Sequence, residues 1–140
     1  MLTLVLGPSG SGKTNWLIQK ANEDMKSGHG NIAFIDSDDS HIFTLDHAVR
    51  LINAHNYKVS NVDRLYGFLA GIISRDYDLE KIYVDGIYGI VDVHRNLEEL
   101  IQALHDLSDV NNADILMGLD LEEKDLPTGV EYKTIVLSAK

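Results

Sequence analysis

The residues with the clearest chemical potential form one run near the start of the chain, Gly7-Pro8-Ser9-Gly10-Ser11-Gly12-Lys13-Thr14. This run matches the pattern G-x-x-x-x-G-K-[ST], in which backbone N–H groups surround phosphate oxygens. Lys13 supplies a positive charge for the β- and γ-phosphates, and the Thr14 hydroxyl is a ligand for Mg²⁺. The alternative is a glycine-rich turn that binds nothing, but an apolar run precedes the motif and a helical pattern follows it. The run therefore predicts a nucleotide-binding loop from Gly7 to Thr14, in which Lys13 also acts in catalysis.

A second set of chemically useful residues follows the apolar stretch 31–36, in the segment Asp36-Ser37-Asp38-Asp39-Ser40-His41. Carboxylates at the carboxyl end of a strand lie where open α/β sheets bind ligands, and crowding them is costly. Asp and Ser are also common turn residues, so a solvated turn is the alternative. Position alone leaves these two interpretations evenly matched.

A third candidate is Asp85, which ends the apolar run Ile82-Tyr83-Val84. In proteins with a phosphate-binding loop, an Asp at the end of a buried strand holds Mg²⁺ opposite the loop Ser or Thr; this is the Walker B element. The sequence therefore predicts a metal site made by Thr14 and Asp85. Gly86 follows Asp85 where many ATPases carry a catalytic Glu, so either the base lies elsewhere or hydrolysis is poor.

Composition places these residues in an ordinary globular protein. The chain has 140 residues, 44% apolar and 24% charged, which favours a single domain spanning residues 1–140. Its formal net charge is −10, from 12 basic and 22 acidic residues, and no Lys/Arg cluster interrupts the acidic character. Such a surface repels phosphate backbones, so we expect no direct nucleic-acid binding.

The same composition bears on location. The chain has no cysteine, and no apolar run approaches the length of a membrane span. It enters a predicted strand at once, without the charged start of a signal peptide. We therefore expect a cytoplasmic protein that does not contact a membrane.

The periodicity of apolar residues predicts strands alternating with helices. Strands are predicted at 2–6, 31–36, 82–85, 113–118 and 132–138. Helices are predicted after Thr14 up to a stop at 27–30, and at about 44–55, 61–75 and 94–109. In the third helix we expect Gly67 and Gly71 to allow close packing on the sheet. Right-handed crossovers then give a three-layer α/β/α sandwich with a five-stranded, mainly parallel sheet.

The run Ala33-Phe34-Ile35-Asp36-Ser37-Asp38, one helix after the phosphate-binding loop, resembles the second strand of RecA-like ATPases, and the position of Asp85 agrees with it. The resemblance covers about residues 2–117 and implies a P-loop NTPase fold with strand order 5-1-4-3-2. It also implies ATP as the nucleotide and a catalytic base at Asp38, where the family has Glu, with Asp36 as its rival. Because Asp is shorter than Glu, slow turnover would follow.

Three functions are compatible with these residues. The first is Mg²⁺-dependent binding of ATP with slow hydrolysis, with GTP left open as the nucleotide. The second is a nucleotide-binding switch or regulatory subunit with little hydrolysis, in which the loop 86–90 contacts a protein partner. The third is a small-molecule or nucleoside kinase, which the scarcity of arginine disfavours. Self-assembly, the partner's identity and the source of any arginine finger stay open.

Overall fold

A computed structural model describes residues 1–28, 30–38, 40 and 44–138. The strands are β1 (Leu2–Leu6), β2 (Asn31–Asp36), β3 (Arg50–Asn53), β4 (Leu79–Val84), β5 (Asp114–Leu119) and β6 (Lys133–Val136). The helices are α1 (Lys13–Ser27), α2 (Val62–Arg75) and α3 (Val93–Asn111), with short 3₁₀ helices at Ala54–Tyr57, Ile87–Gly89 and Glu123–Asp125. No helix in the described ranges is long and apolar enough to cross a membrane.

The described strands form one sheet in the order β3-β2-β4-β5-β1-β6, and every neighbouring pair is parallel. The five predicted strands lie in their predicted order, which in the present labels is β6-β1-β5-β4-β2. The prediction of five strands is nevertheless wrong, because β3 adds a sixth beyond β2.

The segment 44–55 was predicted to be helical, and this is the clearest error. Residues 44–49 form turns and bends, 50–53 form β3, and a 3₁₀ helix begins at Ala54. The strand pairs in register with β2, from Ala33 opposite Arg50 to Asp36 opposite Asn53. Pairing satisfies backbone groups that the edge of β2 would otherwise expose, and this tertiary demand outweighs a weak helical periodicity.

The core has one part on each face of the sheet, as alternation along β1 requires. Leu2, Leu4 and Leu6 are buried in the larger part, beneath α2 and α3, whereas Val5 is buried on the opposite face beneath α1. The middle strands are covered on both faces, which explains their continuous apolar sequences. The result is a three-layer α/β/α sandwich.

A polar cluster joins α1 to β4. Tyr83 donates a hydrogen bond from its hydroxyl to Asp24 Oδ2, and Lys81 Nζ lies 2.9 Å from the same oxygen. Burial by itself raises the pKa of Asp24, but the hydrogen bonds from Tyr83 and Lys81 and the charges of Lys81 and Lys20 hold it below its usual value. The Asp24 carboxylate therefore stabilises the contact between helix and sheet as the charged form.

The two glycines of α2 do not serve close packing on the sheet, contrary to expectation. A Cβ atom added at Gly67 or Gly71 would meet no heavy atom within 4 Å among the residues described. Both residues are exposed and line a groove beside β3. Their place in the interior of a helix is therefore costly without a packing benefit.

Candidate phosphate and metal site

The loop between β1 and α1 adopts a backbone conformation that requires glycine at two positions. Gly10 has φ +82° and Gly12 has φ +93°, a left-handed conformation that favours glycine. Gly12 precedes α1 as its N-cap, and no side chain caps this end of the helix. The positive end of a 15-residue helix therefore faces the loop, an arrangement suited to anions.

The side chain of Lys13 is only 10% exposed, and its ammonium group lies against the backbone of the loop. Its Nζ donates hydrogen bonds of 2.8 Å to the carbonyl oxygens of Gly7 and Pro8. It also forms an ion pair with Asp120, at 2.7 Å from Oδ1. In this structure the Lys13 ammonium group, which the motif predicts to bind phosphate, is therefore paired with groups of the protein itself.

Thr14 and Asp85 meet at the mouth of the loop, as the sequence predicts for a metal site. The Thr14 hydroxyl lies 3.0 Å from Oδ2 of Asp85 and 3.2 Å from Oδ1. The Asp85 backbone N–H donates to the carbonyl of Ile35 at 2.9 Å, which fixes this carboxylate at the carboxyl edge of the sheet.

The donor set of these two residues fits Mg²⁺, which prefers oxygen ligands and keeps several non-protein ones. The described residues contain no group of three His, Cys, Asp or Glu side chains that could hold a metal alone. Phosphate oxygens and water would therefore have to complete any metal site at Thr14 and Asp85.

Asp36 is the last residue of β2, and Asp38 lies two residues beyond the end of that strand. Asp36 is 3% exposed, and its Oδ1 accepts a 2.7 Å hydrogen bond from the Ser37 backbone. Asp38 is exposed, and its Oδ1 accepts a 2.9 Å bond from the backbone of Ser40, a local turn. The predictions for Asp39 and His41 concern positions outside the described residues.

Gly86, which directly follows Asp85, lies close to the acidic segment at the end of β2. It has φ +66°, and a Cβ atom there would lie 2.9 Å from Asp36 Oδ1 and 2.6 Å from Ser37 Oγ. Only glycine fits this approach without displacing them. The backbone after β4 can therefore lie close to the end of β2 because position 86 carries no side chain.

All three candidate groups border one cavity of about 570 Å³. Its lining includes eight predicted residues: Ser9, Gly10, Gly12, Lys13, Thr14, Asp36, Asp38 and Asp85. Gly7, Pro8 and Ser11 belong to the loop but not to that lining. The described lining contributes four carboxylates and one ammonium group, an excess of three negative charges. This electrostatic environment favours a cation together with any bound phosphate.

Tyr88 and Asp120 also line the cavity, although neither is among the site residues predicted from the sequence. The Tyr88 hydroxyl accepts a 3.0 Å hydrogen bond from the Asp120 backbone, and burial raises the pKa of this tyrosine. The position of Asp120 directly after β5 was the available signal, because parallel strands end at a common edge. In the loop 86–90, Ile87 and Ile90 are buried, whereas Tyr88 and Gly89 are exposed, and partner binding by this loop stays a prediction.

Comparison with known proteins supports the fold. The chain is similar to the crystal structure of the flagellar accessory protein FlaH from Methanocaldococcus jannaschii, with a TM-score of 0.55 and 16% sequence identity. The match covers 92% of this chain and 64% of that protein, so the chain spans less than two thirds of its length. No family model and no curated protein matches the sequence. Together with the parallel sheet, the similarity supports a RecA-like fold.

Proposed function

We propose that the chain binds a nucleoside triphosphate with Mg²⁺ at the loop Gly7 to Thr14, with ATP as the first candidate, and hydrolyses it slowly. The observation that carries this proposal is the contact between the Thr14 hydroxyl and both Asp85 oxygens, beside Lys13 and the uncapped end of α1. A strand-to-helix turn with only a structural role would not require the Asp85 carboxylate beside the Thr14 hydroxyl.

Each part of the loop has a distinct role in the proposed function. The backbone N–H groups around Gly10 and Gly12 bind phosphate oxygens, and Lys13 contacts the outer phosphates after leaving Asp120. Thr14 and Asp85 hold Mg²⁺, which supplies charge neutralisation at the β- and γ-phosphates. Because carboxylates outnumber ammonium groups in the cavity, we expect nucleotide without metal to bind weakly.

Asp38 is the proposed base for a water nucleophile, with Asp36 as its rival. Asp38 is exposed at the cavity, whereas burial restricts Asp36 and its Oδ1 already accepts from Ser37. A carboxylate one methylene shorter than Glu positions water poorly, and no arginine belongs to the described cavity lining. Both features favour slow turnover.

A nucleotide-dependent switch is the second candidate, and one chain of contacts favours it. Lys13 pairs with Asp120, whose backbone N–H donates to the Tyr88 hydroxyl. Tyr88 is 37% exposed and its ring lies 6.0 Å from that of His94 at the start of α3. If phosphate takes Lys13 from Asp120, the change can reach the surface through Tyr88.

Turnover and binding measured together distinguish these functions. Phosphate release is followed with Mg-ATP and Mg-GTP, with and without candidate phosphate acceptors, beside a titration of each nucleotide. Slow release without acceptor supports the ATPase. Tight binding without release supports the switch, and acceptor-dependent transfer would instead indicate a kinase. Absence of binding by either nucleotide would overturn the proposed function.

A further inference from the structure

A groove whose lining shares no residue with the cavity at the phosphate loop runs between β3 and α2 and encloses about 720 Å³. Ala33 and Ile52 form its floor and are 1% and 8% exposed. Phe68 and Ile72 line it from α2, and Tyr57 lines it from the 3₁₀ helix that follows β3. These side chains give the groove an apolar interior.

Tyr57 is the most informative of these apolar residues. It is 61% exposed, and its ring packs against that of Phe68 with centroids 5.5 Å apart. The aromatic pair forms a preformed corner at which a further large apolar side chain could be buried. An open groove with such a corner is typical of sites that receive an anchor residue from a partner.

Two arginines border the same groove, Arg50 from β3 and Arg75 from the last turn of α2. In the part of the chain that the structure describes, neither guanidinium group has a hydrogen bond or an ion pair. The single carboxylate of the lining, Asp76, instead accepts from the Asn31 side chain and the Asp78 backbone. In a chain with 22 acidic residues, two unpaired arginines at one groove are a local reversal of charge.

We propose that this groove binds an acidic segment of a partner protein that carries at least one large apolar side chain. The apolar side chain packs against Phe68 and Tyr57, and flanking carboxylates pair with Arg50 and Arg75. Guanidinium groups suit carboxylates because they form paired, charge-assisted hydrogen bonds. A nucleic acid fits less well. Its many phosphates would be repelled by a chain whose formal net charge is −10, and the two arginines of the groove could neutralise few of them.

Gly71 permits a test that leaves the core intact. A Cβ atom there meets no described heavy atom within 4 Å, so Gly71→Leu should fill the groove without disturbing the packing beneath α2. The substitution also replaces a glycine in the interior of a helix, so we expect the variant to be at least as stable as the wild type. Arg50→Glu and Arg75→Glu change only exposed side chains. Arg95→Glu makes the same charge change outside the groove and is the matched control.

In the experiment, a displayed library of random 12-residue peptides is selected for binding to the immobilised wild-type chain. Enriched peptides are then labelled and measured by fluorescence anisotropy. We expect acidic sequences that contain Phe, Leu, Ile or Trp. Their affinity should fall by at least about tenfold in Arg50→Glu, Arg75→Glu and Gly71→Leu, and stay unchanged in Arg95→Glu.

Three results would overturn the proposal. The first is the absence of enriched acidic peptides, or enrichment of basic or neutral ones. The second is equal binding by the groove variants and the wild-type chain. The third is a dimer, seen by light scattering, that Gly71→Leu dissociates, since this would assign the groove to a second copy of the chain. Nucleotide titrations, which should be the same in all these variants, separate this proposal from that for the phosphate loop.

Discussion

Asp120 holds the ammonium group of Lys13 at 2.7 Å in the described structure, at the position from which Lys13 would reach a phosphate. The pair is half-buried, with exposed side-chain fractions of 10% for Lys13 and 40% for Asp120. Nucleotide must therefore compete with a carboxylate of the protein for this lysine.

Asp120→Asn should tighten binding of Mg-nucleotide. Removal of the competing charge frees Lys13, and a partly exposed pair of this kind suggests a gain of about three- to tenfold in Kd. Calorimetric titration of the variant and the wild type measures it. Glu131→Gln, an exposed substitution with the same charge change, is the control. Weaker binding by Asp120→Asn would instead assign Asp120 a direct role in holding nucleotide or metal.

Asp85→Asn should weaken nucleotide binding in Mg²⁺ and change it little in EDTA. The amide keeps the shape of the side chain and an acceptor for the Thr14 hydroxyl, but it is a poor ligand for a hard cation. We expect a loss of about 10- to 100-fold in Mg²⁺. Nucleotide titrations of the variant and the wild type in Mg²⁺ and in EDTA measure the effect, and the titration in EDTA is the control for loss of metal-independent binding. Equal losses in both would show that Asp85 supports the loop rather than a metal.

Asp38→Asn should leave nucleotide affinity near the wild-type value and lower turnover by about 100-fold, the loss typical of a missing general base. Asp38→Glu should raise turnover if the base lacks only reach. Phosphate release at saturating Mg-nucleotide measures both, and Asp36→Asn tests the rival carboxylate. Wild-type turnover in Asp38→Asn would remove this residue from the mechanism.

Asp24→Asn should destabilise the fold in a pH-dependent way. The folded pKa of Asp24 is below the ordinary 3.8, so its contribution is complete above that value and disappears as the pH falls through the folded pKa. At pH 7 we expect a loss of about 1–2 kcal/mol in the free energy of unfolding. Urea denaturation at pH 7 and at pH 3 measures the loss, with Glu23→Gln as control. The difference from wild type should shrink at pH 3; an equal difference at both would contradict the assigned charge interaction.

The sequence was most informative where local residues determine the backbone. The loop from Gly7 to Thr14 could be predicted because its glycines and its place between strand and helix are local features. Strand β3 could not be predicted, because it forms only where the edge of β2 offers backbone partners. The predicted strand order already placed β1 beside β5, but the contact between Lys13 and Asp120 also depends on where the first turn of α1 carries the lysine. The open space at Gly71 depends on how α2 lies across the sheet. These relationships are tertiary, and spacing along the chain does not encode them.

The central claim is that Lys13 and its loop bind Mg-nucleotide, and calorimetric titration of Mg-ATP and Mg-GTP into the wild type and Lys13→Ala tests it most directly. Lys26→Ala, at an exposed position in the last turn of the same helix, is the matched control. We expect saturable binding of at least one nucleotide by the wild type and by Lys26→Ala, and a loss of about 100-fold or more in Lys13→Ala. Equal affinity in wild type and Lys13→Ala, or no binding of either nucleotide by the wild type, would contradict the claim.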